Sequence, residues 1–449
     1  MLNRRNFIAA GGAALAFAGL QRACAEPMPA DAGTLVPDPE GLFDLPPRFS
    51  YRVVSREGAT MADGLLVPGR FDGMGAFAGA GGRTVLVRNH ELWAHDTETA
   101  FGPDDRLLSD AVRAKMFGRD ERVAQGGTST VVIGPDGRVE REFLSLAGTL
   151  RNCAGGTTPW GSWLTCEEPK VGRTDKLLDG HGWVFEVPSS SRALVDAVPL
   201  KALGRFNHEA AAVDRRTGVV YLTEDRKDGL FYRLLPNARG ELAKGGRLQA
   251  MAVEGTPDSA NRDRAWAMGA ARRVRWIDMT DVESPGDDLR LQGHAAGGTR
   301  FVRGEGLAET ADGSIYFTCT EGGAVGKGQV FHYRPSRFEG RGDERRAPGV
   351  VTLFAEPDDR SVIDMPDNLC VAPFGGLVVC EDGGEAKDAN YLRLLDAKGR
   401  IRTIGRNAHP KQAELAGSCF SPDGRTLFVN IYAPGHTLAS TGPWEKLRA

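Results

Sequence analysis

Hydrophobic residues along the chain occur in short runs that are bounded by glycine, aspartate or asparagine, as at residues 219–223, 315–318 and 377–380. Short apolar runs joined by Asp-Gly-type turns predict antiparallel hairpins. The period of 3.6 residues that marks an amphipathic helix is nearly absent, and residues 104–117 are the best exception. The pattern therefore predicts an all-β fold.

One local pattern recurs along the chain: a polar residue, an apolar strand, a Gly-containing turn, a second strand and an acid. It occurs at residues 152–168, 207–225, 304–322, 366–383 and 417–434, with its second half at 81–91. Residues 228–236 and 327–335 are predicted third strands, whereas 144–152 and 261–276 are expected to be loops or decorations.

Repeated small meanders indicate a six-bladed β-propeller with decorated loops, formed as a single domain by residues 26–449. A tandem of β-sandwiches is the competing fold. It does not predict an acid at the same place in each repeat.

The first 25 residues have the features of an export signal. Arg4 and Arg5 precede an apolar run of about fourteen residues, and Ala23 and Ala25 form a cleavage site. The run is too short to span a bilayer comfortably. We expect a signal peptide over residues 1–25 that the twin-arginine (Tat) export machinery recognises, and a periplasmic or secreted product without stable membrane insertion. An uncleaved anchor and a lipoprotein attached through Cys24 are the alternatives.

Composition narrows the class of protein. A hydrophobic content of 41%, with 58 glycines and 25 prolines, is typical of a folded chain with many turns. The net charge of −3 gives no basic surface for nucleic acid. Six cysteines follow the signal, without a CxxC motif, and they fall in strand-like segments. Repetition explains this spacing better than a disulfide scaffold does.

Carboxylates recur at the ends of the predicted strands. Because inner strands line the channel of a propeller, residues at matching positions converge around its axis. Acids that end the second strand are Glu91, Glu167, Glu224, Glu321 and Glu381, and polar residues that begin the first are Asn152, Glu209, Glu305, Asp367 and Asn368. Two like charges about 4 Å apart repel by on the order of 4 kcal/mol at an effective dielectric near 20. The set therefore predicts a metal site, and carboxylates favour hard cations such as Ca²⁺.

One of these strands ends in a thiol beside the acids. Cys166 precedes Glu167, and a thiolate favours a softer transition metal. On a regular strand the two side chains point to opposite faces, so they reach one ion only if the strand ends or bulges there. A buried structural cysteine is the alternative, and Cys380 occupies the equivalent position.

Basic groups suggest how an anion is bound. Arg303 lies two residues before Glu305, on the same strand face. Such an arginine is suited to grip a phosphate at two points, and a structural ion pair is the alternative. His90 and His208, each in an Asn-His-Glu tripeptide, are either ligands or hydrogen-bonding groups beside them.

Together these motifs resemble the PhoX-type alkaline phosphatases. The resemblance covers residues 63–444 and rests on "RNHE", "GGTTPWGSWLTCEE", "FNHEAAAVD", "VRGEGLA", "PDNLCVAP" and "LFVNIYAPGHTLASTGPW". The chain is shorter than many members, and we expect the shortening to lie in blade loops over the channel mouth.

The resemblance implies a six-bladed propeller with a mixed cluster of Fe³⁺ and Ca²⁺ at its mouth, and hydrolysis of small phosphomonoesters without a serine nucleophile. It matches Cys166 to an iron-binding cysteine, Glu305 to a metal-binding glutamate and Arg303 to a phosphate-gripping arginine. The expected metal ligands are Glu91, Cys166, Glu167, Glu209, Glu305, Asp367 and Glu381.

Two other functions fit a propeller. A calcium-dependent lactonase or sugar-ester hydrolase needs one ion and gives Cys166 and Arg303 no role. A non-catalytic binding module does not need so many acids in the channel.

Overall fold

The structure is a computed structural model that describes residues 34–118, 123–168, 180–359, 361–383 and 389–447. Strands and their connecting turns account for most of these residues, which confirms the predicted all-β propeller. The predicted signal peptide and its cleavage site after Ala25 lie outside the described residues and stay predictions.

The strands are short and follow one another as antiparallel neighbours. In chain order they are β1 (Phe43–Asp44), β2 (Ser50–Arg56), β3 (Phe71–Ala78), β4 (Thr84–His90), β5 (Gly126–Ile133), β6 (Val139–Thr149), β7 (Asn152–Thr157), β8 (Ser162–Glu167), β9 (Val184–Pro188), β10 (His208–Val213), β11 (Val220–Glu224), β12 (Phe231–Pro236), β13 (Gly246–Val253), β14 (Ala271–Asp278), β15 (Gly304–Glu309), β16 (Ile315–Cys319), β17 (Gln329–Arg334), β18 (Val350–Ala355), β19 (Pro366–Val371), β20 (Leu377–Glu381), β21 (Tyr391–Leu395), β22 (Ile401–Asn407), β23 (Leu415–Phe420), β24 (Thr426–Ile431) and β25 (His436–Thr441). The α-helices of the described residues are α1 (Asp110–Arg113) and α2 (Leu289–Ala295), and 3₁₀ turns lie at Ala80–Gly82, Pro103–Asp105, Lys201–Leu203, Leu242–Lys244, Glu344–Arg346 and Trp444–Leu447.

These strands form six meanders, which we number repeat 1 to repeat 6 in chain order. Repeat 1 is β3–β6, repeat 2 is β7–β9, repeat 5 is β19–β22 with β1 at its edge, and repeat 6 is β23–β25 with β2. Repeats 3 and 4, β10–β14 and β15–β18, share one nine-stranded sheet because their outer strands β14 and β18 pair. The hydrogen-bonded sheets therefore number five rather than the six blades predicted.

The first strand of each repeat faces the centre. These inner strands are β3, β7, β10, β15, β19 and β23, each contacts the next, and β23 contacts β3. The ring is closed by the N-terminal strand β2, which pairs with β25 and completes repeat 6. The closure brings the two ends of the propeller chain into one sheet.

Three local predictions are corrected by the strand assignments. Residues 144–149 belong to β6, and 271–276 belong to β14, the outer strand of repeat 3. Burial alternates along β14, which has no continuous apolar run. The sequence pattern of the basic insert therefore did not indicate a strand. The predicted helical segment at 104–117 contains the end of the 3₁₀ turn Pro103–Asp105 and the single turn of α1, whose N-terminus is capped by the Ser109 hydroxyl.

The cores lie between neighbouring repeats rather than along the axis. One core cluster packs Leu164 and Cys166 of repeat 2 against Leu222 and Leu234 of repeat 3. A second packs Tyr221 of repeat 3 against residues of repeat 4. Within the described part of the chain, no helix has the length and apolar composition needed to span a bilayer.

Candidate metal centre at the channel mouth

Each repeat presents three residues at the same end of the channel. A backbone hydrogen bond that recurs in all six repeats defines two of them: the amide of the residue after the second strand donates to the carbonyl of the residue before the inner strand. The donor and acceptor pairs are Glu91 and Arg70, Glu168 and Arg151, Asp225 and Asn207, Thr320 and Arg303, Asp382 and Met365, and Tyr432 and Glu414. We call the donors the exit residues and the acceptors the entry residues.

The third residue is the second one of each inner strand, and in repeats 1 to 5 it lies where the register between the inner strand and its neighbour shifts. These bulge residues are Asp72, Cys153, Glu209, Glu305, Asp367 and Ala416. A β-bulge leaves one residue out of the ladder and re-aims its side chain. In repeats 1 to 5 the bulge therefore turns a side chain of the inner strand toward the mouth, whereas Ala416 of repeat 6 pairs with Asn430.

The three positions together carry nine acids. They are Asp72, Glu209, Glu305 and Asp367 at the bulge position, Glu91, Glu168, Asp225 and Asp382 at the exit position, and Glu414 at the entry position. We call this set the mouth acids. Six of them form two groups in which carboxylate oxygens lie within 4.8 Å of one another: Asp72, Glu91 and Glu414, and Glu209, Glu305 and Asp367.

Burial and mutual repulsion perturb these carboxyl groups. Burial raises the pKa of Asp72 well above its usual range, and the nearby Glu91 and Asp367 raise it further. The pKa of Glu209 is raised in the same way by burial and by Glu305. Burial and Asp382 raise the pKa of Asp367 to about 7. Without cations the site favours protons over ionised carboxylates.

Two arginines are paired with the mouth acids. Arg303 donates from Nε and Nη2 to Asp225, at 2.8 and 2.9 Å, and from Nη2 to Glu305 at 2.7 Å. Arg151 donates from Nη2 to Glu91 and lies 2.5 Å from Glu168. Both residues occupy the entry position, in repeats 4 and 2, so the site combines a carboxylate cluster with cations on its rim.

Several residues predicted from the sequence come together here. Glu91, Glu209, Glu305 and Asp367 are mouth acids, and Arg303 lies beside Glu305 as expected. Glu209, Glu305 and Asp367 come together because they hold the same bulge position in repeats 3, 4 and 5, and Glu91 joins them from the exit position of repeat 1.

Three other predicted ligands lie elsewhere. Cys166 is fully buried in the hydrophobic core between repeats 2 and 3, where burial alone raises the pKa of its thiol. Glu167 accepts hydrogen bonds from the amides of Leu150, Gly182 and Trp183 and contacts His181 Nδ1 at 2.6 Å.

Glu381 accepts from Arg393 Nε at 2.7 Å and from the amides of Asp364 and Tyr391. Both glutamates occupy the last position of a second strand, and the alternation of the strand turns them away from the mouth. The residue that follows, Glu168 or Asp382, reaches the mouth instead.

Residues that the sequence analysis missed complete the site. Asp72, Glu168, Asp225, Asp382 and Glu414 are mouth acids that it did not select. A signal for three of them was present, because the acids at 167–168, 224–225 and 381–382 occur in pairs and the second member faces the mouth. Glu414 takes the position that arginine holds in repeats 1, 2 and 4, and no sequence pattern indicated it.

Cys153 is the thiol at the mouth. It holds the bulge position of repeat 2, and its Sγ lies 3.2 Å from the carbonyl oxygen of His208 and 3.7 Å from that of Glu209. Burial raises the pKa of this thiol, and the carboxylates of Glu209 and Glu168 raise it further. Aligning "NCA" with "HEA" would have matched Cys153 to Glu209 and identified it.

The two histidines have structural hydrogen bonds. His90 contacts the carbonyl oxygen of Gly69 at 2.9 Å and the Ser129 hydroxyl at 2.8 Å. His208 contacts the carbonyl oxygen of Gly204 at 3.0 Å and stacks on Phe206. Of the two roles considered for them, these contacts favour the hydrogen-bonding one.

The donor set fits metal binding. Two carboxylate triads supply hard oxygen ligands in the number that a divalent or trivalent cation needs. Cys153 adds one soft ligand, which a transition metal accepts and calcium does not. The raised pKa values of Asp72, Glu209 and Glu305 express the same need for positive charge.

Comparison with known proteins identifies the family. The sequence model described as alkaline phosphatase PhoX matches residues 30–435. The chain belongs to the alkaline phosphatase PhoX family. A search of curated protein sequences found no match.

Among solved structures, the chain is similar to Pseudomonas fluorescens PhoX in complex with vanadate, a transition state analogue. The two share 19% identity and a TM-score of 0.68, over 92% of this chain and 97% of that chain. A gluconolactonase from Xanthomonas campestris gives 16% identity and a TM-score of 0.39, over 94% of this chain and 100% of that chain. The first likeness supports the propeller fold.

Family membership establishes the activity class. The chain is a metal-dependent phosphatase that hydrolyses small phosphomonoesters, and its family is secreted. This assignment is favoured over the lactonase and over the non-catalytic binding module.

Proposed function

We propose that the mouth acids and Cys153 hold a mixed cluster of Fe³⁺ and Ca²⁺ at which phosphomonoesters are hydrolysed. The observation that carries this proposal is the convergence of nine carboxylates and one thiol from all six repeats on one end of the channel. Carboxylate oxygens suit both ions, and the thiolate selects the softer one. Cys153 therefore replaces Cys166 as the iron ligand in this proposal.

Six of the proposed carboxylate ligands fall into two triads. Asp72, Glu91 and Glu414 form one candidate ion site, and Glu209, Glu305 and Asp367 form the other. Cys153 interacts electrostatically with Asp72 and with Glu209, one member of each triad. Iron near Cys153 would therefore share ligands from both groups. When bound, the ions would neutralise the carboxylates and polarise a phosphoryl oxygen.

Arg303 is the residue we propose to bind the reacting phosphate. Its Nε and Nη2 are held by Asp225 and Glu305, which fixes the plane of the guanidinium. Within the described residues Nη1 has no hydrogen-bond partner, and it is not buried. A fixed guanidinium with a free N–H edge can stabilise the charge that develops on phosphoryl oxygens in the transition state.

Export through the Tat machinery to the periplasm is part of the proposal. It rests on Arg4 and Arg5 and on the apolar run that follows them. Replacing both arginines by lysine should keep the precursor in the cytoplasm, as cell fractionation would detect. Periplasmic delivery of the double variant would instead indicate another route.

The activity is tested on protein purified from the periplasm. Hydrolysis of p-nitrophenyl phosphate should disappear after chelation and return when iron and calcium are supplied together. Gluconolactone, tested in parallel, should not be hydrolysed. Lactone hydrolysis with calcium alone, together with inactivity on the phosphoester, would support the alternative enzyme class.

A further inference from the structure

Three of the six entry residues are arginines: Arg70, Arg151 and Arg303. All three have left-handed backbone conformations, with φ of 52°, 42° and 52°. Met365, at the same position of repeat 5, has φ of 54°. The conformation therefore does not depend on the charge, and an uncharged side chain is accepted there. The fold does not require a cation at these positions.

Arg70 and Arg151, which we call the basic pair, lie on neighbouring repeats. Their inner strands β3 and β7 contact each other, and the ring of six inner strands places β15, which Arg303 precedes, opposite β3. Arg303 and the basic pair therefore stand on different sides of the mouth acids.

Arg151 retains hydrogen-bonding capacity although it is paired with acids. Its contacts with Glu91 and Glu168 use Nη2 only. Within the described part of the chain, Nε and Nη1 have no hydrogen-bond partner, and neither atom is buried. The Trp93 ring centre lies 5.3 Å from its guanidinium carbon and supports it from one face. A held guanidinium with two free donors is suited to bind an anion.

Arg70 is held more loosely beside it. Its guanidinium carbon lies 5.5 Å from the Tyr432 ring centre, and its nearest carboxylate, that of Asp96, is 3.9 Å away. Tyr432 in turn donates to Glu91, the acid that Arg151 also binds. Arg151 thus borders Glu91 directly, and Arg70 borders it through Tyr432, with which its side chain interacts. Among the residues that the structure describes, the remaining guanidinium donors of both arginines have no close acceptor.

We propose that the basic pair binds a second anionic group on the leaving group of the substrate, so that the enzyme prefers phosphomonoesters whose alcohol carries a carboxylate or a further phosphate. This inference rests on the proposed function, in which Arg303 and the ions hold the reacting phosphate. Because that phosphate is held beside repeat 4, the leaving group faces the basic pair across the channel mouth. Guanidinium groups match carboxylates and phosphates equally well in geometry.

The test compares substrates that differ by one charge. Glycerol 3-phosphate and 3-phosphoglycerate have leaving groups of similar size, and only the second has a carboxylate; 2,3-bisphosphoglycerate replaces the neighbouring hydroxyl by a phosphate. We expect wild-type kcat/KM to be about tenfold higher for each anionic leaving group, from one or two charge-assisted hydrogen bonds. A gain with 2,3-bisphosphoglycerate over 3-phosphoglycerate would identify phosphate as the favoured second anion.

Methionine variants remove the charge and keep a side chain that this position accepts in repeat 5. Arg70→Met and Arg151→Met should each reduce the preference for an anionic leaving group severalfold. The control Arg247→Met loses an exposed ion pair with Asp278 on an outer strand and should leave that preference unchanged. Arg70→Met is the safer variant because it breaks no close contact with a mouth acid. If both variants retain their metals and keep the wild-type substrate preference, the proposal is overturned.

A binding measurement separates this inference from the proposed function. Calorimetric titration of the metal-loaded protein with inorganic pyrophosphate should give an affinity about tenfold higher than with inorganic phosphate, and Arg70→Met should remove that difference. Equal wild-type affinities would refute the second anion subsite. Inactivity toward glycerol 3-phosphate combined with the expected affinity difference would contradict the phosphatase assignment and leave the subsite supported.

Discussion

Glu167 and Glu168 are adjacent acids at the end of one strand, and they have opposite environments. Glu167 is satisfied by three backbone amides and by His181. Glu168 faces Arg151 and otherwise other carboxylates, and burial together with Glu91 raises its pKa well above its usual range. The same division separates Glu381 from Asp382 in repeat 5, where the first acid binds Arg393 and loop amides.

The comparison shows that the number of protein donors, not the residue type, separates a structural acid from a candidate metal ligand. A buried carboxylate that receives several hydrogen bonds is stable as an anion. One that faces other carboxylates needs protons or cations. Strand alternation assigns the two roles, because consecutive residues at a strand end point in opposite directions.

The largest effect is expected from Glu168→Gln, with Glu167→Gln as its matched control. Glu168→Gln removes a charged candidate ligand, so metal content should fall and kcat/KM should drop by at least about 100-fold. Glu167→Gln should retain metal and activity, because its carboxylate serves only the loop, and should lower the free energy of unfolding by about 1 to 3 kcal/mol. Equal metal loss in the two variants would contradict the different roles assigned to Glu167 and Glu168.

The second largest effect is expected from replacing Arg303, the cation beside the mouth acids. Arg303→Ala should weaken inhibition by inorganic phosphate by about ten- to a hundredfold while metal content stays constant, because a charge-assisted contact is lost. Arg303→Lys keeps the charge but not the two-point geometry, so we expect it to recover only part of the affinity. Wild-type phosphate inhibition in Arg303→Ala would show that the residue is only a structural ion-pair partner.

The smallest effect is a pH dependence of the metal-free protein. Asp367, with a pKa near 4 when unfolded and about 7 when folded, binds more protons in the folded state between those values. Its contribution to the free energy of unfolding is therefore present below about pH 4 and is lost as the pH rises to about 7. Asp72 and Glu209, whose pKa values are also raised, act in the same direction. Chemical denaturation of the metal-free chain at several pH values should show this fall, and metal-loaded protein should show it less.

Much of the fold was predictable because turns and short apolar runs are local signals. The meanders, the third strands β12 and β17 and the convergence of Glu209, Glu305 and Asp367 all follow from repetition. The pairing of β14 with β18 was not predictable, because the two strands are far apart in sequence and meet only at the outer edges of repeats 3 and 4.

The site was predicted with an error of one residue in several repeats. The bulge in the inner strand and the turn of the chain after the second strand decide which of two adjacent side chains faces the mouth. Neither feature changes the composition of the motif, so "NCAGG" and "TCEE" each offered two candidates. Asn152 and Glu167 were selected where the structure presents Cys153 and Glu168.

Metal content of Cys153→Ser and Cys166→Ser, purified side by side, tests the central claim most directly. A thiolate at the bulge position supplies a soft ligand that serine cannot match, whereas a core cysteine behaves as a small apolar group. We predict that Cys153→Ser loses iron and most activity but keeps much of its calcium, and that Cys166→Ser keeps both ions with a lower melting temperature. Iron loss in Cys166→Ser alone, or equal iron in both variants, would contradict the assignment of the metal cluster to the mouth acids and Cys153.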